Sequence, residues 1–273
     1  MFLDVFIHKT LKRPYKLVIA EDIGKGIPVI FLHGIASSSI TWRNVLPLMP
    51  KGYRAITIDL LGFGNSPKPD WAKYTVEDHA NAVAHTIKKL HLKQKPLIVG
   101  HSMGSLIAVS LASRHPQLVH NLVLCSMPIY IAESASGTLE TYKKSDAIVN
   151  TAYFKAYQAF AERPDFTLKG AEKIAKLAGS DTSFRLDKTT WIPFKESLKN
   201  TIEKQNTIST IAGLGTAIAI VYGRFDILVI SKYFKELSRK HTNIKLFPVN
   251  GRHEITPNYA KKVVKVIAVY SKH

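Results

Sequence analysis

Short, almost wholly apolar runs alternate with amphipathic stretches along the first half of the chain. The apolar runs predict β-strands at 28–32, 53–58, 96–99 and 121–125. The stretches with helical spacing predict helices at about 39–48, 75–90 and 103–114. Thr75 precedes the second of these helices and Asp78 follows three residues later, which is the pattern of a capping box. Because the strands are apolar throughout, they indicate a parallel sheet that is covered by helices on both faces.

The same alternation returns near the end of the chain. Strands are predicted at 216–222 and 243–249, and helices at about 228–239 and 256–270. Between the two halves, from about residue 130 to 212, lie amphipathic helical stretches that are rich in aromatic residues and interrupted by prolines and glycines. The sequence therefore predicts a core formed by residues 1–128 and 213–273, into which an all-helical cap at 129–212 is inserted.

Two further apolar stretches lie near the start of the chain, at 2–7 and 15–20. They predict a hairpin of two short strands at the edge of the sheet. With these strands, the expected architecture is an α/β fold: a mostly parallel central sheet of about eight strands, with helices on both faces and an inserted helical cap.

The amino-acid composition is that of one large globular domain. The chain has 273 residues, of which 46% are hydrophobic, enough for a substantial core. Its only cysteine, Cys125, excludes an internal disulfide bond. No apolar run approaches the roughly 18 residues of a membrane-spanning helix, and the first residues do not resemble a signal peptide. The prediction is a cytoplasmic protein without a transmembrane segment.

The net charge of the chain is +18 at pH 7. Charge of this sign draws anionic partners to a surface. However, the chain contains no block of five or six like charges and no nucleic-acid-binding motif, so no nucleic-acid partner is expected. The charge favours a basic, solvated surface, and weak attraction to an anionic surface or substrate is the alternative.

The stretch VGHSMGS, at residues 99–105, contains the pattern Gly-x-Ser-x-Gly between a predicted strand and a predicted helix. Such a turn exposes the serine hydroxyl at a sharp bend, and the flanking residues Gly100 and Gly104 allow the close packing that the turn needs. The start of the helix adds a positive dipole end and a free N–H group near the hydroxyl. Ser102 is therefore the candidate nucleophile.

A nucleophilic serine needs a general base, and the base needs a carboxylate that orients it. On a parallel sheet these partners are expected later in the chain, in loops that follow further strands. Asp226 follows a predicted strand and is the last aspartate of the chain, and His253 lies in the turn NGRHEI after the last predicted strand. They are the candidate acid and base. The backbone N–H groups of Ile35 and Met103 are the candidate oxyanion hole.

Other polar residues beside these candidates are interpreted as structural. His33 supports the loop that follows its strand, and His101 shapes the elbow and the wall of the pocket. Asp59 and Ser66 hold the glycine-containing turn between them.

Motifs spread over nearly the whole chain resemble those of one known family. They are FLHGIASSSITW at 31–42, DLLGFGNS at 59–66, VGHSMG at 99–104, YGRFD at 222–226 and GRHE at 251–254. Together they resemble the α/β-hydrolase fold family, in its group of capped esterases, haloperoxidases and C–C bond hydrolases. The resemblance implies that Ser102 is the nucleophile, Asp226 the acid and His253 the base. The chain departs from the family at Ser105, where glycine is common, and at Gly215, where proline is common.

The resemblance also implies a reaction. It indicates a serine hydrolase that cleaves carboxylic esters of small or medium acyl chains through an acyl-enzyme intermediate, without a metal ion or an organic cofactor. The expected partner is a small-molecule acyl ester. Met127 and Tyr130, which follow the strand that leads into the cap, are the candidate substrate contacts. Serine at the elbow excludes the aspartate-based chemistry of haloalkane dehalogenases and epoxide hydrolases.

Other reactions use the same three residue types. A C–C bond hydrolase, lactonase, thioesterase or perhydrolase is the alternative. C–C bond hydrolases usually add arginine and asparagine side chains in the cleft, for which Arg43, Asn44 and Arg185 are available. A further alternative is a protein that binds a small ligand on this fold without turnover.

Overall fold

Within residues 2–129 and 184–272, which the computed structural model describes, seven strands form one central sheet. In chain order they are β1 (Ile19–Gly24), β2 (Ile27–Leu32), β3 (Tyr53–Ile58), β4 (Leu97–His101), β5 (Leu122–Cys125), β6 (Ile218–Gly223) and β7 (Ile244–Val249). Their spatial order is β1-β3-β2-β4-β5-β6-β7. β1 runs antiparallel to β3, and all other neighbours are parallel. The predicted mostly parallel sheet is confirmed.

Helices flank this sheet. In the described ranges they are α1 (Phe2–Val5), α2 (Val76–Lys89), α3 (Met103–Arg114), α4 (Trp191–Ser197), α5 (Thr207–Ala212), α6 (Ser231–Lys240) and α7 (Pro257–Tyr270). Turns of π-helix follow α1 over Phe6–Thr10 and α4 over Leu198–Glu203. The capping box of α2 is confirmed, because Thr75 and Asp78 each accept a hydrogen bond from the other's backbone N–H at 3.1 Å.

Two apolar clusters lie on opposite faces of the sheet, because successive residues of a strand point to opposite sides. In β2, Ile30 and Leu32 join the cluster that α2, α3 and α6 cover. Val29 and Phe31 join the cluster that α7 covers. The central strands are therefore buried on both faces, and polar side chains that approach them come from the loops at the strand ends.

The N-terminal edge of the fold differs from the prediction. Residues 2–7, predicted as a strand, form α1 and the π-helical turn after it. The apolar pattern of so short a run does not separate a strand from a helical turn. The hydrogen bond from the Tyr15 hydroxyl to the Asp4 carboxylate, at 2.8 Å, favours the helical form. The strand predicted at 15–20 begins only at Ile19 and pairs with β3.

The helix predicted at 39–48 is also different. It consists of two short 3-10 helices, Ser39–Trp42 and Leu46–Leu48. Pro47 has no N–H group to donate to a continuous helix. Trp42 is fully buried and packs on Phe31, with ring centroids 5.0 Å apart, so this side chain anchors the segment to the sheet.

Only part of the predicted cap falls within the described residues. Positions 184–212 contain α4, the π-helical turn that follows it, and α5. Residues 130–183 lie outside the described residues, so the boundaries of the cap stay a prediction. None of the helices in the described ranges combines the length and the apolarity that crossing a bilayer needs.

Candidate active site

Ser102 occupies the sharp turn between β4 and α3. Its backbone has φ +51° and ψ −123°, a conformation that residues other than glycine rarely adopt. A Cβ atom on Gly104 would overlap the carbonyl oxygens of Leu32 and His33, and one on Gly100 would overlap the backbone of Gly104. Both glycines therefore let the turn pack closely against its own start and against β2.

Ser105 fits this turn although the related family commonly has glycine there. Its hydroxyl lies within hydrogen-bond distance of the carbonyl oxygens of Gly100, at 2.9 Å, and Cys125, at 3.2 Å. The N–H group of Ser102 donates to the same Cys125 carbonyl at 2.9 Å. These bonds hold the turn against the end of β5.

The imidazole of His253 and the carboxylate of Asp226 are hydrogen-bonded. Nδ1 of His253 lies 2.9 Å from Oδ2 of Asp226, and the N–H group of Leu228 donates to Oδ1 at 2.9 Å. Asp226 follows β6 and His253 follows β7, so both lie at the carboxyl edge of the sheet, where Ser102 follows β4. Because a carboxylate only accepts, Nδ1 carries the proton and Nε2 keeps a free lone pair.

Two opposing influences act on the pKa of the Asp226 carboxyl. Burial by itself raises this pKa, since only 7% of the residue is exposed. The His253 ring, the Leu228 N–H and the Ser126 hydroxyl lower it, and the resulting pKa is below its ordinary value. The carboxyl is therefore ionised at neutral pH and can stabilise a protonated imidazole.

A pair of buried hydroxyl groups lies behind this carboxylate. Ser126 directly follows β5, is fully buried and has φ +46°. Its Oγ is 3.1 Å from the hydroxyl oxygen of Tyr259, which donates to the carbonyl of Val221 at 2.7 Å. Sequence reasoning missed both residues. The available signal was the position of Ser126, directly after a parallel strand at the edge where the other candidates lie.

His101 connects the serine turn to the loop of His253. Its Nε2 lies 2.9 Å from the carbonyl oxygen of His253, and the two rings are 5.0 Å apart. Since a carbonyl only accepts, Nε2 carries the proton. Burial, followed by the nearby His253 ring, lowers the pKa of His101 to about 3, so this side chain is neutral. The sequence places His101 in the elbow but does not predict its contact with the loop that carries His253.

The candidate oxyanion hole consists of the N–H groups of Ile35 and Met103. Within the residues that the structure describes, neither N–H has a hydrogen-bond acceptor. The Leu60 N–H donates to Nε2 of His33 at 2.8 Å, so Nδ1 carries the proton and donates to the Gly34 carbonyl at 2.7 Å. In a trans peptide the carbonyl and the following N–H point in opposite directions. Because His33 holds the Gly34 carbonyl, the Ile35 N–H of the same peptide points away from the His33 ring.

Asp59 holds the loop after β2 to the turn that contains Gly64. Its carboxylate accepts hydrogen bonds from the N–H groups of Ser39, at 2.9 Å, and Asn65, at 2.8 Å. The Ser66 hydroxyl donates to the Asp59 carbonyl at 2.6 Å. The structural interpretation of Asp59 and Ser66 is confirmed.

The structure brings Asp226 and His253 into direct contact, but among the described residues it does not join the Ser102 hydroxyl to the His253 ring by a hydrogen bond. Such bonds often form only when substrate is bound. Met127 is fully buried in the apolar cluster, and Tyr130 lies outside the described residues. Both substrate contacts stay predictions.

Arg43 and Asn44 brace the segment after His253. Arg43 forms an ion pair with Glu254, with an N–O distance of 3.2 Å. The Asn44 side chain donates to the carbonyl of Ile255 at 2.9 Å. These contacts connect the loop region after β2 to the histidine loop.

Within the described residues, Arg185 has no hydrogen bond or ion pair with the segment after His253 but lies beside the loop after β2. Its N–H donates to the Ala36 carbonyl at 2.6 Å, which joins it to the loop that carries Ile35. It also lines a polar cavity of about 380 Å³, whose other charged lining residues are Lys68, Asp59 and Asp187. An exposed guanidinium in a polar cavity suits an anionic group of a ligand.

Residues 27–247 match the family model described as the alpha/beta hydrolase fold. Among curated proteins, the chain is 33% identical over 169 residues to a 2-hydroxy-6-oxo-6-(2'-aminophenyl)hexa-2,4-dienoic acid hydrolase of Metapseudomonas resinovorans, which covers 61% of this chain and 51% of that protein. It is 38% identical over 113 residues to the probable lysophospholipase BODYGUARD 4 of Arabidopsis thaliana, covering 41% of this chain and 27% of that protein. The chain spans about a quarter to a half of the length of these two relatives.

Solved structures resemble the chain over more of its length. A bromoperoxidase from Bacillus anthracis has a TM-score of 0.72 and 23% sequence identity, covering 94% of this chain and 100% of that one. An esterase from Exiguobacterium antarcticum has a TM-score of 0.70 and 20% identity, covering 94% and 96%. At these identities the likeness concerns the fold alone.

Proposed function

Because the chain belongs to the α/β-hydrolase fold family, we propose that it is a carboxylesterase, a serine hydrolase for esters of small or medium acyl chains. One observation carries the proposal: the hydrogen-bonded pair of His253 and Asp226 lies at the edge of the sheet where Ser102 occupies a strained turn. A nucleophile, a base and an orienting carboxylate on neighbouring loops are the groups that acyl transfer needs.

In the proposed reaction, Nε2 of His253 takes the proton of the Ser102 hydroxyl while its oxygen attacks the ester carbonyl carbon. The N–H groups of Ile35 and Met103 stabilise the oxyanion that forms. The tetrahedral intermediate collapses, His253 protonates the leaving alcohol, and an acyl-enzyme remains. A water molecule, deprotonated by His253, then attacks this ester and releases the acid. Asp226 keeps the proton on Nδ1 and stabilises the imidazolium.

The proposal includes a helical cap at residues 129–212, inserted into a core of residues 1–128 and 213–273. The bond from the Arg185 N–H to the Ala36 carbonyl supports it, because the chain there lies against the proposed oxyanion loop. A cap over this edge would exclude water and shape the acyl pocket. Met127 and Tyr130 are the proposed substrate contacts at the start of the cap.

Hydrolysis of p-nitrophenyl esters of increasing acyl length tests the proposal. The variants are Ser102→Ala and the matched control Ser113→Ala, an exposed serine of the same helix, α3. We expect turnover with an optimum at short or medium chains, a kcat at least about 10⁴-fold lower in Ser102→Ala, and a control rate like that of the wild type. Equal rates in wild type and Ser102→Ala would refute Ser102 as the nucleophile. A folded wild type that turns over no ester would refute the esterase.

A C–C bond hydrolase is the second candidate, favoured by the similarity to the dienoic acid hydrolase. A dienoic acid carries a carboxylate, and Arg185 offers a guanidinium beside the proposed oxyanion loop. If this reaction occurs, Arg185→Gln should raise KM for the dienoic acid and leave p-nitrophenyl acetate hydrolysis unchanged. Lys188→Gln, an exposed cation close by in the chain, is the control. Absence of C–C cleavage by an active esterase would remove this candidate.

A further inference from the structure

Two polar side chains attach the first helical stretch to the protein. This stretch belongs to residues 2–16, here named the N-terminal segment. Asp4 accepts a hydrogen bond from the largely buried Tyr15 at 2.8 Å, and the His8 ring stacks on the Tyr15 ring with centroids 3.6 Å apart. Asp4 and His8 lie about one turn apart, hence on one side of the helix. A surface helix usually turns its apolar side to the body of the protein. Here Asp4 and His8 contact Tyr15, and 53% of the Asp4 side chain stays exposed.

Three apolar side chains of the N-terminal segment are exposed, whereas Val5 and Ile7 are half-buried. The exposed fractions are 68% for Leu3, 45% for Phe6 and 61% for Leu11. In the rest of the described chain, the exposed large hydrophobic residues are spread over several elements, and two of them flank Asp226. Single exposed apolar residues need no explanation, but three in one short segment indicate a surface that contacts a partner.

Positive charge accompanies these apolar side chains. The N-terminal segment contains Lys9, Lys12, Arg13 and Lys16, all exposed, and no acidic residue after Asp4. One oxygen of the Asp4 carboxylate accepts the hydrogen bond from Tyr15, and the other lies 3.8 Å from Nε2 of His8. The segment therefore combines three exposed apolar side chains with four exposed cations and a net positive charge.

The end of α2 extends the positive surface. Burial, followed by nearby positive groups of both elements, lowers the pKa of His85 of α2; these groups are Lys89, Arg13, Lys88 and His8. A cavity of about 430 Å³ opens between the N-terminal segment and α2. Its lining includes Lys9, Lys12, Arg13, Lys73, Tyr15 and Trp71. It also includes Asp78, whose carboxylate is engaged in the capping box of α2.

We propose that the N-terminal segment binds the surface of a membrane that contains anionic lipids. Leu3, Phe6 and Leu11 enter the interface, and the cations of the segment and of α2 contact the lipid headgroups. Interfacial helices combine these same two features, apolar side chains at headgroup depth and cations around them. A second copy of this chain is a poor occupant because each copy carries a net charge of +18. An uncharged partner would leave the surrounding cations without a complementary charge.

Co-sedimentation with lipid vesicles tests this inference on the full chain. Vesicles of phosphatidylcholine with phosphatidylserine are compared with vesicles of phosphatidylcholine alone. The wild type should bind the anionic vesicles and lose affinity as salt is raised. The triple variant Leu3→Ser, Phe6→Ser, Leu11→Ser should bind at least about tenfold more weakly. Lys9→Gln with Lys12→Gln should bind roughly 25-fold more weakly, at about fivefold per cation.

Two control variants distinguish binding through the N-terminal segment from an effect of exposed apolar residues or positive charge elsewhere on the protein. Ile23→Ser, Leu48→Ser, Val269→Ser removes exposed apolar side chains elsewhere, and Lys261→Gln, Lys265→Gln removes exposed charges of α7. Both controls should bind anionic vesicles within about twofold of the wild type. Thermal unfolding and hydrolysis of a soluble ester check that every variant is folded.

Three results would overturn the inference. The first is equal binding of the wild type to both kinds of vesicle. The second is equal loss of binding in the N-terminal and the control variants, which would assign any attraction to net charge. The third is a wild type that self-associates through Leu3, Phe6 and Leu11 in solution and ignores vesicles, which would make the occupant a second copy.

Discussion

The Nε2 atom of His101 lies 2.9 Å from the carbonyl oxygen of His253, so the residue before the proposed nucleophile holds the loop of the proposed base. The bond joins the end of β4 to the loop after β7, two places far apart in the chain. The bond fixes the positions of Ser102 and His253 relative to each other, because it resists a displacement of either loop. Catalytic geometry is sensitive to displacements of about 1 Å.

Replacing His101 should therefore lower kcat. In His101→Ala the His253 carbonyl loses its donor and the ring leaves a space beside Trp42, so we expect kcat to fall about 100-fold with little change in KM. His101→Gln keeps a donor and should recover part of the rate. Steady-state kinetics on a p-nitrophenyl ester measure both values, with His241→Gln at the end of α6 as the control. A change in KM alone would contradict the positioning role and favour a place in the pocket wall.

Asp226→Asn should reduce kcat by about 10⁴-fold without unfolding the protein. An amide donor facing Nδ1 would favour the tautomer that has its proton on Nε2, where the lone pair is needed, and would no longer stabilise the imidazolium. The matched control is Asp22→Asn, which removes a carboxylate from the surface ion pair with Arg54 at 2.7 Å. If Asp226→Asn kept a tenth or more of the wild-type kcat, the orienting carboxylate would have to be sought elsewhere.

Ser126→Ala should affect the pH dependence of activity more than the fold. The Ser126 hydroxyl is one of the groups that lower the pKa of the Asp226 carboxyl, after His253 and the Leu228 N–H. Without it this pKa rises, and the more basic carboxylate stabilises the imidazolium form of the general base more strongly. The acid limb of the kcat profile should therefore move to higher pH, and kcat should fall roughly tenfold because the carboxylate is positioned less firmly. Ser110→Ala, at a buried serine of α3, is the control. An unchanged acid limb would show that the hydroxyl pair is only structural.

The protein should lose stability as pH falls below about 6.5, the ordinary pKa of histidine. Burial lowers the pKa of His33, His79 and His101, in the last two to about 3. Between these values the unfolded chain binds protons that the folded chain does not, so acid favours unfolding. Each such histidine adds up to about 1.4 kcal/mol per pH unit to the slope of the unfolding free energy, and the full value is reached where the unfolded histidine is fully protonated.

Urea unfolding from about pH 7 to about pH 5 measures this slope. His79→Gln removes one of the three histidines, and its slope averaged over this range should be lower by about 1 kcal/mol per pH unit. The control Ser113→Ala removes no titratable group and should keep the wild-type slope. An identical slope in wild type and His79→Gln would mean that His79 takes up no proton on unfolding in this range.

The parallel part of the sheet is readable from sequence because its strands are buried on both faces. Such strands appear as continuous apolar runs, and the predicted run at 28–32 became β2 (Ile27–Leu32). At the N-terminal edge of the fold, an apolar run does not by itself identify a strand. The run at 2–7 is equally apolar but forms a helical stretch, since its attachment to Tyr15 uses Asp4 and His8 rather than a neighbouring strand.

By itself the sequence determined the α/β order of the core and the candidate residues Ser102, Asp226 and His253, because each lies directly beside a strand that its own apolar pattern reveals. Only the tertiary structure decided which groups meet: Nδ1 of His253 with Asp226, and His101 with the His253 carbonyl. It also decided that Leu3, Phe6 and Leu11 are exposed. These contacts depend on how loops from distant parts of the chain come together at the carboxyl edge, and no local pattern of apolar and polar residues encodes that arrangement.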